Sequence, residues 1–189
     1  PTKHAIRQST LESITEAAVA ALVTNSGASM SEIAALAGIG RATLHRHFPT
    51  KAHLIDALGH RCIEETNAAV EALVDPEESS LQRLEKTFAA VIPLGDRYSF
   101  LNRRSDDEAL NAAYRDQLRW VRALVADLKR DGYLDTDVPD QWALAQIDQL
   151  IWSAWEFVSR GHTKNEDAVA LAVRTLLQGL GQTPVETAP

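Results

Sequence analysis

Cysteine occurs once in these 189 residues, so no intrachain disulfide can form, a usage compatible with a reducing cytoplasm. The lone Cys62 reads as a half-buried helix residue and not as a nucleophile. Long apolar runs are missing too. The longest, residues 17–23, is seven residues, whereas a membrane-spanning helix needs about 20, so no span is expected. No signal-peptide pattern opens the chain, which begins at Pro1 without methionine; the native start is expected to lie upstream. Glycine-rich phosphate loops, nucleophile elbows and zinc-ligand spacings are absent from the sequence, so no enzyme activity, cofactor or metal is expected. His45 and His47 invite a metal reading, but side chains two apart on a helix point about 200° apart and cannot chelate one ion. No window alternates as a strand would, while helical spacing recurs throughout.

Basic charge is scarce as well. The formal net charge is −7, which looks wrong for a nucleic-acid binder until it is divided. Residues 1–61 hold six Lys/Arg and four Asp/Glu, a balance of +2, with five of the six histidines. Residues 62–189 hold 13 against 22, a balance of −9. The acidity belongs to a larger body, and the smaller head is mildly basic, as groove binding requires. With 45% apolar content, a chain of this length can bury about 70% of its unfolded surface.

What is present is a two-helix pattern in residues 29–51, SMSEIAALAGIGRATLHRHFPTK. Ser29-x-x-Glu32 is a capping box that starts a helix before the apolar positions Ile33, Leu36 and Ala37. Gly38 follows, where a left-handed residue ends a helix cheaply, and Ile39 plugs the turn. Ala34, four residues before Gly38, leaves room for a close crossing. A second helix over 41–47 buries Leu44 and offers Arg41, Ala42, Thr43, His45 and Arg46 to solvent. This spacing predicts a helix-turn-helix whose second helix enters a DNA major groove; an αα-corner without a partner is the alternative. Thr50 is placed to cap a third helix. Lys51 then falls in a first turn, where the helix dipole disfavours a cation unless an anion such as a DNA phosphate docks there, or water solvates it.

The run from Ala34 through Gly38, then Arg41-Ala42-Thr43-Leu44-His45-Arg46-His47-Phe48 and Thr50-Lys51, resembles the DNA-binding domain of TetR-type transcriptional regulators. The resemblance covers residues 8–58; beyond them it holds only as architecture. It implies a DNA-binding domain over 1–50 and a helical effector-binding and dimerisation domain over 51–189. Arg41, Ala42, Thr43 and His45 are expected to face the groove, with Arg41 shaped for a bidentate bond to guanine. His47, Thr50, Lys51 and the hydroxyls of Ser29 and Ser31 are expected to fix register on the phosphates. One departure stands out: the family usually has tyrosine where this chain has His45. That tyrosine commonly touches a phosphate, a contact His45 would make through imidazole. The acidic residue often found after the lysine is here His53.

The rest of the chain reads as all-α, about nine helices in total. A first helix over 8–25 places Leu11, Ile14, Ala18, Ala21 and Leu22 on one face. Helices follow over 51–73, 79–91, 106–130, 139–160 and 163–180, the last opened by a Thr163-x-x-Glu166 capping box. Leu110, Tyr114, Leu118, Val121, Val125 and Leu128 form the inner stripe of 106–130. Residues 96–104 read as irregular or a short helix. Arg103, Arg104, Asp106, Asp107 and Glu108 read as a solvated cluster at a helix start. Residues 181–189 read as a frayed tail.

The final two helices are apolar on more than one side, and a homodimer through a four-helix interface is expected to bury the surplus. Ile151, Trp155, Val158, Val169, Val173, Leu176 and Leu177 are its expected residues. Trp152, Trp155 and Phe157, with Trp120 nearby, suggest a cavity for a small apolar or aromatic effector. Phe88, Ile92, Trp120, Leu124 and Trp152 are the candidate lining, each with core packing as its alternative. The expected function is a cytoplasmic repressor that binds double-stranded DNA as a homodimer and is released by the effector, a shift of the 51–73 helix relaying the signal. Two other readings stay open: a non-transcriptional DNA-binding adaptor whose body docks a protein, and an enzyme or carrier for a hydrophobic molecule.

Overall fold

Glycines in the left-handed region close three of the described helices. The structure, a computed structural model, describes residues 3–101 and 107–181, with side chains from residue 10 onward. Among the described residues nine α-helices follow in order: α1 (Lys3–Thr24), α2 (Met30–Leu36), α3 (Arg41–His47), α4 (Lys51–Leu73), α5 (Ser80–Val91), α6 (Gly95–Tyr98), α7 (Glu108–Arg130), α8 (Asp140–Ser159) and α9 (Asn165–Leu180). Single 3₁₀ turns at Ile92–Leu94 and Ser99–Leu101 flank the four-residue α6. The fold is all-α, and no strand occurs among the described residues. Gly132 and Gly161 end α7 and α8 at φ of 80° and 74°, the left-handed region that glycine enters without strain. Of the charge cluster expected at 103–108, Arg103, Arg104 and Asp106 lie outside the described residues, as does the tail beyond residue 181.

The chain forms two compact units, and their division does not fall at residue 50. One comprises Pro1–Glu64 with Asp96–Ala113, the other Glu65–Gly95 with Tyr114–Pro189. In the first, α1 packs on α2 and α2 on α3. Ile14, Ala18, Leu22, Ile33, Ala34, Leu44, Phe48, Leu54, Leu58 and Tyr98 are buried there. Glu16 on α1 ties the unit together: Arg61 of α4 pairs with it and also donates to Thr15 Oγ1 at 2.7 Å, while Arg97 of α6 reaches it at 3.1 Å. The Arg97 hydrogen bond, with Arg61 beside it, holds the Glu16 carboxyl below the usual carboxylate range. Two expected core positions differ. Leu11 is exposed and Ala21 half-buried, because the buried face of α1 turns through Thr15, Ala17 and Val19.

In the second unit, α5, α7, α8 and α9 enclose one core that includes Leu84, Phe88, Ile92, Leu124, Leu128, Ile147, Ala172 and Leu176. Buried Ser80 donates to Asp131 at 2.6 Å, and Arg83 to Asp127 at 2.6 Å. Arg83 first, then Arg130, keeps the Asp127 carboxyl below its usual range. The expected Thr163 capping box does not form. Helix α9 starts one residue later, with Lys164 at the cap and no side-chain cap bond, so Glu166 sits within the first turn and serves the dipole instead. Tyr114 is not part of the inner stripe of α7 but 44% exposed, and Leu124 takes the buried place.

Gly95 allows one close approach in this unit. A Cβ there would stand 2.2 Å from Cγ of Trp155, so the indole lies directly against the backbone. Gly95→Ala is expected to displace the ring and destabilise the protein by about 1–3 kcal/mol, the usual range for overpacking. A urea melt of the variant beside the parent protein measures it.

Candidate nucleic-acid interface

The presenting device begins with a cap. Ser29 Oγ accepts from the Glu32 N–H at 3.2 Å, and the Ser29 N–H donates to Glu32 Oε2 at 2.7 Å, closing the expected box. That backbone bond from Ser29 lowers the Glu32 carboxyl from its ordinary value. Helix α2 ends on Gly38 at φ 67°. The Ile39 N–H donates to Ala34 O at 3.0 Å and the Gly38 N–H to Ala35 O at 3.1 Å, so the turn satisfies the carbonyls that the helix leaves open. Ile33 and Ala34 are buried on the inner side. Leu36 is not the inner residue its spacing suggested. It is 59% exposed, since in a seven-residue helix one turn suffices for burial and the next faces out.

Helix α3 follows, with Leu44 fully buried as its anchor and Phe48 buried just after it. Arg41, Ala42 and Arg46 are exposed; Thr43, His45 and His47 are half-buried. Arg46 stands among the outward residues of α3 although it was not counted as a contact. Its basic side chain at an outward helical position was the available signal.

His45 is engaged at both nitrogens. Nδ1 lies 3.2 Å from Pro49 O, and Arg41 Nε donates to Nε2 at 3.4 Å. Both bonds are met by the tautomer with its proton on Nδ1. The imidazole therefore braces Arg41, and a phosphate contact through His45 requires one of these bonds to open. Lys51 has a partner of its own: Nζ donates to Ser26 O at 3.1 Å, which offsets its place in a positive helix end. Two of its three N–H groups remain for a phosphate. Thr50 caps α4 as expected, Oγ1 accepting from the His53 N–H at 3.2 Å. Ser31 is exposed on α2, while the Ser29 hydroxyl is taken by the cap.

Residues 14–58, which hold this whole arrangement, match the bacterial regulatory proteins of the tetR family. The chain is a TetR-type transcriptional regulator. It is 28% identical over 165 residues to the HTH-type transcriptional repressor LfrR of Mycolicibacterium smegmatis, covering 85% of each protein. The crystal structure of LfrR from Mycobacterium smegmatis in complex with proflavine superposes with a TM-score of 0.74 at 25% identity, over 93% of this chain and 99% of that one. The nucleoid occlusion factor SlmA of Vibrio cholerae is 30% identical over 113 residues, 57% of this chain and 58% of that protein.

In the second unit of this TetR-type regulator, the residues singled out for ligand and partner separate into two groups. Phe88, Ile92 and Leu124 are buried in the core, Trp120 is half-buried at its border, and Trp152 is half-buried. Val173 and Leu176 are likewise core of the chain itself, which removes them from any outer face. Val169 lines an open groove of about 320 Å³ with Glu85, Lys86, Ala89, Asn165, Glu166 and Ala170, and so faces α5. Ile151, Trp155, Val158 and Leu177 are half-buried, and Trp142 is 57% exposed. Trp152 and Trp155 meet edge to face at 5.7 Å. Phe157 does not join them; it is exposed and lies 4.9 Å from the His162 ring. Among the described residues α9 groups with α8 and α5, so inward positions of the pair fill one protomer's core first. No helix of the described residues is long and apolar enough to cross a membrane.

The turn gives a direct test. Gly38→Ala is expected to lose about 1–2 kcal/mol of stability, because a Cβ in the left-handed region crowds the following carbonyl. Open space around Gly38 rules out a steric clash with other residues as the cause. Chemical denaturation of the variant beside the parent protein measures the loss.

Proposed function

We propose that this protein is a cytoplasmic repressor that binds a near-palindromic operator as a homodimer and leaves it when its body takes up a small apolar or aromatic effector. The observation that carries the reading is the outward row on α3: Arg41, Ala42 and Arg46 exposed on a helix anchored by Leu44. Support for repression comes from the similarity to LfrR, a transcriptional repressor, over 85% of the chain. Support for an effector comes from the same relative, whose structure was determined with proflavine. A dimer answers a physical need, since a seven-residue helix offers few base contacts and two copies double them. Ile151, Trp155, Val158 and Leu177, with exposed Trp142, are the apolar residues of α8 and α9 available for it. Helix α4 is continuous from Lys51 to Leu73 and would transmit a shift of its far end; a coupling of about 1–3 kcal/mol relieves DNA binding 5- to 150-fold.

Sequences selected from random duplexes by the purified protein will define the operator. On it, Arg41→Ala is expected to relax preference at one base pair per half-site by about 1–3 kcal/mol. Lys51→Ala is expected to weaken all sequences alike and to flatten the salt dependence. The reverse pattern, with Lys51→Ala losing sequence preference, would overturn the assignment of roles. For the dimer, Val158→Glu is expected to yield monomers in sedimentation and to weaken operator binding; an unchanged mass would remove α8 from the interface.

A second reading, a DNA-binding adaptor whose body docks a protein, draws on the 30% identity to SlmA over about half the chain. Operator binding that no small molecule relieves would favour it.

A further inference from the structure

An arginine side chain is commonly oriented by a carboxylate, whose two oxygens fit the guanidinium fork. Helix α3, RATLHRH, contains no acid to do this for Arg41. Among the described residues the Arg41 side chain has no ion pair, and its one hydrogen-bond partner is His45 Nε2, a turn further along the helix at 3.4 Å. An exposed arginine on the outward row of α3 is thus held by an imidazole.

The chain that follows α3 makes that imidazole an acceptor. Nδ1 of His45 lies 3.2 Å from Pro49 O. A carbonyl oxygen only accepts, so Nδ1 carries the proton and Nε2 keeps a lone pair for the Arg41 Nε–H. The Pro49 carbonyl is itself well fixed. Proline restricts its own φ, the preceding Phe48 is buried, and the following Thr50 caps α4. The ring is half-buried between these bonds. Two hydrogen bonds in series therefore run from the α3–α4 connection, through His45, to the guanidinium.

We infer that His45 is a positioning residue for base recognition, holding Arg41 by its Nε so that the two terminal nitrogens are left for a guanine edge. The inference rests on the reading that α3 enters the major groove, and it gives His45 a part in sequence preference in place of the phosphate contact expected of it. A guanidinium has five N–H donors. With Nε engaged, the four on the terminal nitrogens remain, enough for a bidentate bond to O6 and N7. A neutral ring orients the cation without cancelling its charge, as a carboxylate would, so the attraction to phosphates is kept. Ordering a long side chain in advance lowers the cost of binding, and a fork set in one direction rewards only those duplexes that present the matching base.

The test uses the full chain, the operator selected from random duplexes, and copies of that operator altered one base pair at a time. Two substitutions divide the imidazole's roles: His45→Asn keeps an N–H near Pro49 O but falls short of Arg41, while His45→Gln reaches Arg41 with a carbonyl acceptor. At the base pair that Arg41→Ala relaxes, His45→Asn is expected to lower discrimination by about two- to tenfold, the worth of one hydrogen bond. His45→Gln is expected to restore it, and the salt dependence is expected to stay that of the parent protein. In an Arg41→Ala background His45→Asn is expected to change discrimination no further, because coupled residues are not additive. Discrimination is a ratio of two affinities, so any loss of folded protein cancels from it. A His45→Asn variant that weakens every duplex alike and flattens the salt dependence overturns the inference in favour of a phosphate contact. An undiminished His45→Asn effect without Arg41 overturns it, as does a His45→Gln variant no better than His45→Asn. If Arg41→Ala relaxes no base pair, the groove reading of Arg41 fails and the inference falls with it; if Arg41→Ala relaxes one and His45→Asn does not, the inference fails alone.

Discussion

Neither α2 nor α3 is long enough to persist alone. Each has seven residues, while isolated helices shorter than about 12–15 residues are marginal in water. Their shape depends on the burial of Ile33, Ala34, Leu44 and Phe48 against the rest of the first unit. Fully burying a leucine stabilises by about 1.5–3 kcal/mol, so the single anchor Leu44 outweighs any helix propensity in the residues around it. The Ser29–Glu32 cap and the Gly38 turn then set direction and do not supply the main stabilisation. Because the anchor occupies one side, the opposite side of α3 is free to carry residues chosen for recognition. The same division explains the mildly basic head on an acidic chain.

The second unit follows other rules. Its core draws on four long helices, and its charged groups are arranged at the border as short pairs, Arg83 with Asp127 and Lys129 with Asp140. The first is part-buried and the second leaves Asp140 exposed; both orient the helices that burial holds.

The helix-turn-helix was legible in the sequence because its signals are local: a capping box, a turn glycine, and an apolar residue at one fixed place. The bounds of α3 and α4 matched the spacing for that reason. What the sequence hid was tertiary. Leu36 carries the same apolar signal as Ile33, and only the neighbouring helix decides which one is covered. Val173 and Leu176 share a face with other apolar residues of α9, and periodicity does not say whether that face meets its own chain or a second copy. The start of α9 slipped by one residue because Thr163 and Lys164 compete for the cap and the turn after Gly161 decides. Segment 96–113 belongs with the first unit through Arg97 and Glu16, residues 81 apart in sequence, a link that no local pattern announces.

All four tryptophans, Trp120, Trp142, Trp152 and Trp155, fall in the second unit and none in the first. Intrinsic indole emission from this protein is consequently a spectroscopic report on one half of the molecule. Events at the reading helix are dark at those wavelengths unless the other half responds, so any colour shift on adding duplex would itself be a signature of communication through the chain.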